Sequence, residues 1–202
     1  LKTVALAAPE APPPMMGMPQ PSAGNTFTQL RDFLAQDFNV VDADLADGTV
    51  PDEAALLVVV DPQEFDERQR FAVDQFLMKG GTVVVATANY SASLSQQSLT
   101  ATPRESGLTD WLGHHGVTLG DGMVNEDSPI TAGLPQVTVA WASPLEVDAG
   151  EDSGRRVTTL LESSDESWIS TDPDVMPRIT ESGLSGFEPE GLQGARTLGV
   201  LV

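Results

Sequence analysis

Two valine-rich segments separated by one amphipathic stretch constrain this chain more than any other feature. Ala54-Ala55-Leu56-Leu57-Val58-Val59-Val60 runs apolar without alternation, and Thr82-Val83-Val84-Val85-Ala86 does the same. A strand apolar on successive residues has both faces covered, the condition of a strand inside a parallel sheet flanked by helices. Between the two, Asp66 and Gln69 stand at capping-box spacing, and Phe71, Ala72, Val73, Phe76 and Leu77 supply an apolar face. Gly80-Gly81 then stops the helix. Strand, helix and strand make a βαβ unit, which requires parallel strands and a right-handed crossover. The segment at 54–60 is expected at the centre of the sheet, and that at 82–86 buried on both faces.

The flanking sequence extends this pattern. Residues 2–8 form a short apolar run closed by Pro9, a first strand. Residues 9–25 carry six prolines, at 9, 12, 13, 14, 19 and 21, and must be a loop. Thr26 or Thr28 can cap a helix with Phe27, Leu30, Phe33 and Leu34 on one face, ending near Gln36. Phe38-Asn39-Val40-Val41 reads as a strand, and Leu108 to His115 as a short helix with Leu108, Trp111 and Leu112 turned to the core. Beyond Gly116 the periodicity weakens. Segments at 137–141, 156–161 and 197–202 read as the later, partly antiparallel strands of the same sheet, joined by long loops. The expected architecture is a single α/β domain over residues 1–202, with a mostly parallel, doubly wound sheet. The chain opens and stops inside apolar strand-like segments, which suggests a piece of a longer polypeptide.

Charge narrows the partners. The chain carries 30 acidic against 10 basic residues, a net charge of -20, and two lysines, Lys2 and Lys79. Nucleic acid is excluded as an expected partner, because binding it requires Lys and Arg to neutralise phosphates. An anionic lipid surface is disfavoured on the same ground. A solvated acidic surface or a saline habitat accounts for the balance. With no cysteine, disulfides, thiolate zinc sites, iron–sulfur clusters and a cysteine nucleophile are all ruled out.

Several segments, in order, resemble the extracytoplasmic domain of the gliding-motility type auxiliary component of ABC transporters. They are Leu57-Val58-Val59-Val60-Asp61-Pro62, the helix ending Asp74-Gln75-Phe76-Leu77-Met78-Lys79-Gly80-Gly81, and Thr82-Val83-Val84-Val85. Leu108-Thr109-Asp110-Trp111-Leu112 before Gly116-Val117, and the turn Ser128-Pro129-Ile130-Thr131-Ala132-Gly133-Leu134, continue the likeness. The resemblance implies a fold akin to flavodoxin and the class I glutamine amidotransferases. It also implies a place at the periplasmic or extracytoplasmic face of the inner membrane, held by helices outside this sequence. The implied partners are an ABC permease and ATPase, with no cofactor.

Candidate chemistry is sparse. A glutaminase-like enzyme needs a nucleophile on the sharp turn after a central strand, activated by His and an acid. After Ala86 the sequence offers Thr87-Ala88-Asn89-Tyr90-Ser91, with Ser93 close by, and its histidines are His114 and His115. A hydrolase or carbohydrate-active relative of the amidotransferase fold would have to gather Ser91 with one of those histidines and a carboxylate. Met15, Met16 and Met18 form a thioether cluster that could hold Cu(I) in a periplasmic metal-binding module, or cover apolar surface at a partner. In open α/β sheets, the loops after the first and later strands lie at the carboxyl edge, where ligands bind. The ligand or partner loop residues expected on this basis are Met15, Met16, Met18, Asn89 and Tyr90. Asp121, Glu126 and Asp127 lack the ligand spacing of a calcium loop. The expected role is a non-catalytic accessory domain acting by protein or small-ligand binding.

Overall fold

The computed structural model describes residues 1–9, 27–94, 98–125, 142–148, 155–176, 178–179, 185–189 and 191–202. They form two compact units, Leu1–Thr87 with Ser106–Leu108, and Ala88–Glu105 with Thr109–Val202.

In the first unit, β1 (Thr3–Ala7), β2 (Asn39–Asp42), β3 (Ala54–Val60) and β4 (Thr82–Ala86) make a four-stranded sheet in the order β2-β1-β3-β4. Every pairing in it is parallel. Helix α1 (Thr28–Leu34) follows β1, and α2 (Glu67–Met78) joins β3 to β4. The register sets Leu6 beside Val58 and Ala5 beside Leu57, so alternate residues of the two central strands fall on opposite faces. On one face Val4, Leu6, Val58 and Val60 form a buried cluster under Phe27, Leu30 and Leu34 of α1 and its approach. On the other face Ala5, Leu57 and Val59 are fully buried. Helix α2 reaches β4 and the 3-10 turn Leu45–Asp47, and it contributes the buried Ala72 and Val73.

The order of strands explains this arrangement. From β1 the chain moves outward one way to β2, and from β3 it moves the other way to β4, so crossovers of one hand place their helices on opposite faces. The expected capping box forms: the Asp66 carboxylate accepts from the Gln69 N–H at 2.9 Å, and the Gln69 side chain accepts from the Asp66 N–H at 3.0 Å. Gly80, with φ of 89°, ends the helix in the left-handed conformation open to glycine. Helix α1 has Phe27 at its N-cap position without a side-chain cap, so the cap expected of Thr28 does not form, and Thr26 lies outside the described residues.

β3 is central, as its composition requires, whereas β4 is not buried on both faces. Among the described residues it is the edge of the sheet; its exposure alternates along the strand, and Val84 is 47% exposed. The face of β4 that carries Val84 lies beyond the reach of α1, whose apolar residues cover β1, β2 and β3. A continuous apolar run marks a sheet strand but does not by itself distinguish centre from edge.

The second unit is built from short antiparallel ribbons. β5 (Tyr90–Leu94) pairs with β6 (Leu99–Pro103), and helix α3 (Thr109–His114) precedes β7 (Val117–Leu119). β8 (Met123–Asn125) pairs with β11 (Trp168–Ser170), and β7 with β9 (Leu145–Val147). β10 (Thr158–Glu162) pairs with β14 (Thr197–Leu201), and β12 (Arg178–Ile179) with β13 (Ser185–Gly186). Ala101, Met123 and Val175 form a small core, with Tyr90 and Leu99 against it.

Here the expectation needs correction. The strands after Gly116 are not later members of the parallel sheet: among the described residues that sheet stops at four strands. The α/β class and the antiparallel C-terminal strands stand, but the described residues do not bear out the larger doubly wound sheet of the amidotransferase type. Strands of two to five residues separated by Gly and Pro satisfy one neighbour and then turn, so they make ribbons rather than extend a long sheet. The β5–β6 hairpin, absent from the sequence reading, is polar and weakly alternating. α3 and β10 fall at the expected positions, while residues 137–141 lie outside the described residues.

Replacing the fully buried Leu57 by Ala should cost about 2–5 kcal/mol of stability, and Asp66→Ala about 1 kcal/mol. Urea unfolding of the two variants checks both. A Leu57 variant no weaker than the cap variant would contradict the central placement of β3.

Candidate functional site

The carboxyl ends of β1, β3 and β4 define one edge of the parallel sheet, and the change in winding direction falls between β1 and β3. That crevice is where open α/β sheets take ligands. The chain leaves β3 there through an unusual turn. Asp61 and Glu64 have φ of 51° and 48°, a left-handed conformation that costs a non-glycine residue roughly 1–2 kcal/mol. The surroundings hold it in place. The Asp61 N–H donates to the Ala86 carbonyl at 2.8 Å, and the Gln63 amide donates to the Asp61 carboxylate at 3.4 Å. Pro62 is fully buried.

The far side of this turn is clamped by the segment Ser106–Leu108. The Phe65 N–H donates to the Ser106 carbonyl at 3.0 Å, Arg70 donates to the Gly107 carbonyl at 3.4 Å, and the buried Ser106 hydroxyl accepts from the Leu108 N–H at 3.1 Å. Gly107 has φ of 77°, and a Cβ there would lie 2.4 Å from the Phe65 backbone. Only glycine fits. At the end of β4 the Thr87 hydroxyl is buried with no hydrogen-bond partner among the described residues, a state that costs about 1–3 kcal/mol. Two left-handed residues and an orphan hydroxyl at one sheet edge are the kind of stored cost that collects at binding sites.

The residues expected to bind fall differently. Met15, Met16 and Met18 lie outside the described residues. Asn89 and Tyr90 belong to the second unit. The Asn89 N–H donates to the Ser143 hydroxyl at 3.1 Å and its side-chain amide to the Gly120 carbonyl at 3.3 Å, while its carbonyl accepts from the Arg104 N–H at 2.7 Å. These bonds make Asn89 a brace between the start of β5 and two loops. Tyr90 packs on the Ala101, Met123 and Val175 core.

Of the serine–histidine constellation, Ser91 lies on β5, and His114 and His115 lie at the end of α3. Ser91 is the second residue of a β-ladder, opposite Thr102, and its carbonyl accepts from the Thr102 hydroxyl. A nucleophile elbow needs a sharp turn after a parallel strand, and Ser91 is on neither. His114 ends α3, where its carbonyl accepts from Arg155 at 2.7 Å, and His115 stacks edge-on against Trp111 with ring centroids 4.5 Å apart. Among the described residues no group of three His, Asp or Glu side chains is placed to hold a metal ion.

The turn at 61–65 escaped the sequence reading. Its one sequence signal is Asp61-Pro62 directly after a central strand, because proline forces the residue before it out of the helical region. Its clamp comes from residues some forty positions later, which no local pattern reveals.

A family model for an auxiliary component of an ABC-type uncharacterized transport system matches residues 2–126 and 118–202. No curated protein and no solved structure gives a match.

Gly107→Ala should unfold at a temperature several degrees lower, because a Cβ strikes the Phe65 backbone and left-handed φ is strained for alanine. Asp61→Gly should leave the melting temperature unchanged or raise it, since glycine adopts that φ freely. Calorimetry on the pair checks the turn: a strongly destabilised Asp61→Gly would mean that its side chain, not its backbone, holds the loop.

Proposed function

Because the chain belongs to the family of auxiliary components of ABC-type uncharacterized transport systems, we propose that it is a non-catalytic accessory domain of such a system. It acts at the extracytoplasmic face of the membrane, in the manner of the gliding-motility type components, by contact with the permease and ATPase subunits or by holding a small ligand. The observation that carries this reading is the family match along the chain.

The fold supports it in two ways. The sheet edge at Asp61 and Thr87 has the strained turn and buried hydroxyl expected where a ligand or partner group is received. Helix α2 exposes Phe71 and Met78, seven residues apart and so on one side of the helix. Apolar side chains at that spacing are the anchors by which a helix meets another protein. In addition to these two features, Asn89 and Tyr90, together with Met15, Met16 and Met18, remain the proposed ligand or partner loops. No described helix is long and apolar enough to cross a membrane.

The test is co-purification of a tagged polypeptide with the permease and ATPase of its transport system from detergent-solubilised membranes. A stoichiometric complex, weakened by the double change Phe71→Ser with Met78→Ser, is expected. A permease–ATPase complex that assembles and transports unchanged without this polypeptide, and never binds it, would overturn the proposal.

A further inference from the structure

The acidic residues of this chain are not evenly countered. Between Arg31 and Arg68 the sequence holds eleven Asp or Glu and no Lys or Arg, and between Arg104 and Arg155 it holds nine, again without Lys or Arg. A surface tuned only for solubility intersperses the two signs, so stretches of this kind call for another account.

Folding gathers the first stretch. β1 lies between β2 and β3 with all three parallel, so their carboxyl ends point the same way. Asp42 closes β2 and Asp61 follows β3, with Asp44 and Glu64 just beyond them. Two strand spacings, about 10 Å, separate β2 from β3. At physiological ionic strength the screening length is about 8 Å, so carboxylates at that separation still repel; at molar salt it is about 3 Å, and they are silenced.

The cations do little to relieve this repulsion. Arg31 pairs with Asp42 at 3.2 Å. Arg70, Arg104, Arg155 and Arg196 each direct a guanidinium N–H to a backbone carbonyl, those of Gly107, Ala88, His114 and Leu192. Such bonds tie loops together and neutralise no carboxylate. Asp37, Asp52, Glu53, Glu146, Asp165 and Glu166 are exposed, and among the described residues none of their side chains joins a hydrogen bond or ion pair. A compact state carrying so much uncompensated charge is destabilised by its own repulsion, and salt removes that penalty.

We propose that this chain is adapted to a medium of about molar salt, in which screening frees the folded state from the repulsion of its unpaired carboxylates. Its net charge of -20 is then a fit to the surroundings and not only an aid to solubility. A merely solvated acidic surface would leave stability indifferent to ionic strength. A surface whose carboxylates are gathered at one sheet edge, while its arginines serve the backbone, makes stability depend on it.

The test is thermal unfolding of the 202-residue chain, followed by circular dichroism, in about 0.1 M and about 1 M potassium chloride, between which the screening length falls from about 10 Å to about 3 Å. Chloride is used because sulfate strengthens burial in any fold. Two variants are compared with the natural sequence. One replaces the six exposed carboxylates by their amides: Asp37→Asn, Asp52→Asn, Glu53→Gln, Glu146→Gln, Asp165→Asn and Glu166→Gln. The other keeps every charge and exchanges Asp for Glu, and Glu for Asp, at the same positions. The natural midpoint should rise by several degrees between the two salts. The amide variant should start higher and rise less, and the charge-preserving variant should follow the natural chain. A natural midpoint that stays level, an amide variant that keeps the full rise, or a charge-preserving variant that loses it would each overturn the proposal. None of these outcomes bears on binding to the permease and ATPase, which the co-purification reads separately.

Discussion

Burial of β1 and β3 between helices on both faces is the constraint from which the rest of the first unit follows. The two strands are parallel, and their register places Leu6 beside Val58 on one face and Ala5 beside Leu57 on the other. A parallel pair with apolar residues on both faces must be covered twice. The chain achieves this by winding outward from β1 in one direction and from β3 in the other. The crevice at their carboxyl ends is a consequence of that winding, because the connecting segments diverge there.

The turn after β3 shows how that framework tolerates local cost. Asp61 and Glu64 sit in a conformation that non-glycine residues avoid, yet the turn is held at both ends. Ala86 accepts the Asp61 N–H, and Ser106 accepts that of Phe65. Gly107 allows the clamp to approach, since a side chain there would collide with the Phe65 backbone. The strain is held by tertiary bonds and is not relieved locally. This strain is the physical basis on which a ligand or partner group is proposed at this edge.

The second unit follows a different logic. Its strands are too short to form an extended sheet, so stability comes from a small core around Met123 and from side chains that bridge loops. Asn89 joins Gly120 and Ser143, and the Ser163–Ser167 pair joins the ends of β10 and β14.

By itself the sequence determined the parallel core and the capped helix α2. Unbroken apolar runs, a capping box and a Gly-Gly stop are local signals, and each acts within a few residues of the element it specifies. It also carried the order of motifs that resembles the auxiliary components of ABC transporters. Only the tertiary structure decided that β4 lies at the edge, that Asn89 is tied into internal hydrogen bonds, and that Ser91 sits in a hairpin away from any strand-to-helix turn. The reason is range: Val84 and Val58 look alike in sequence, and their exposure differs because α1 covers one and not the other. The clamp of Gly107 on Phe65 likewise joins residues far apart in the chain, and such a contact exists only once the fold has formed.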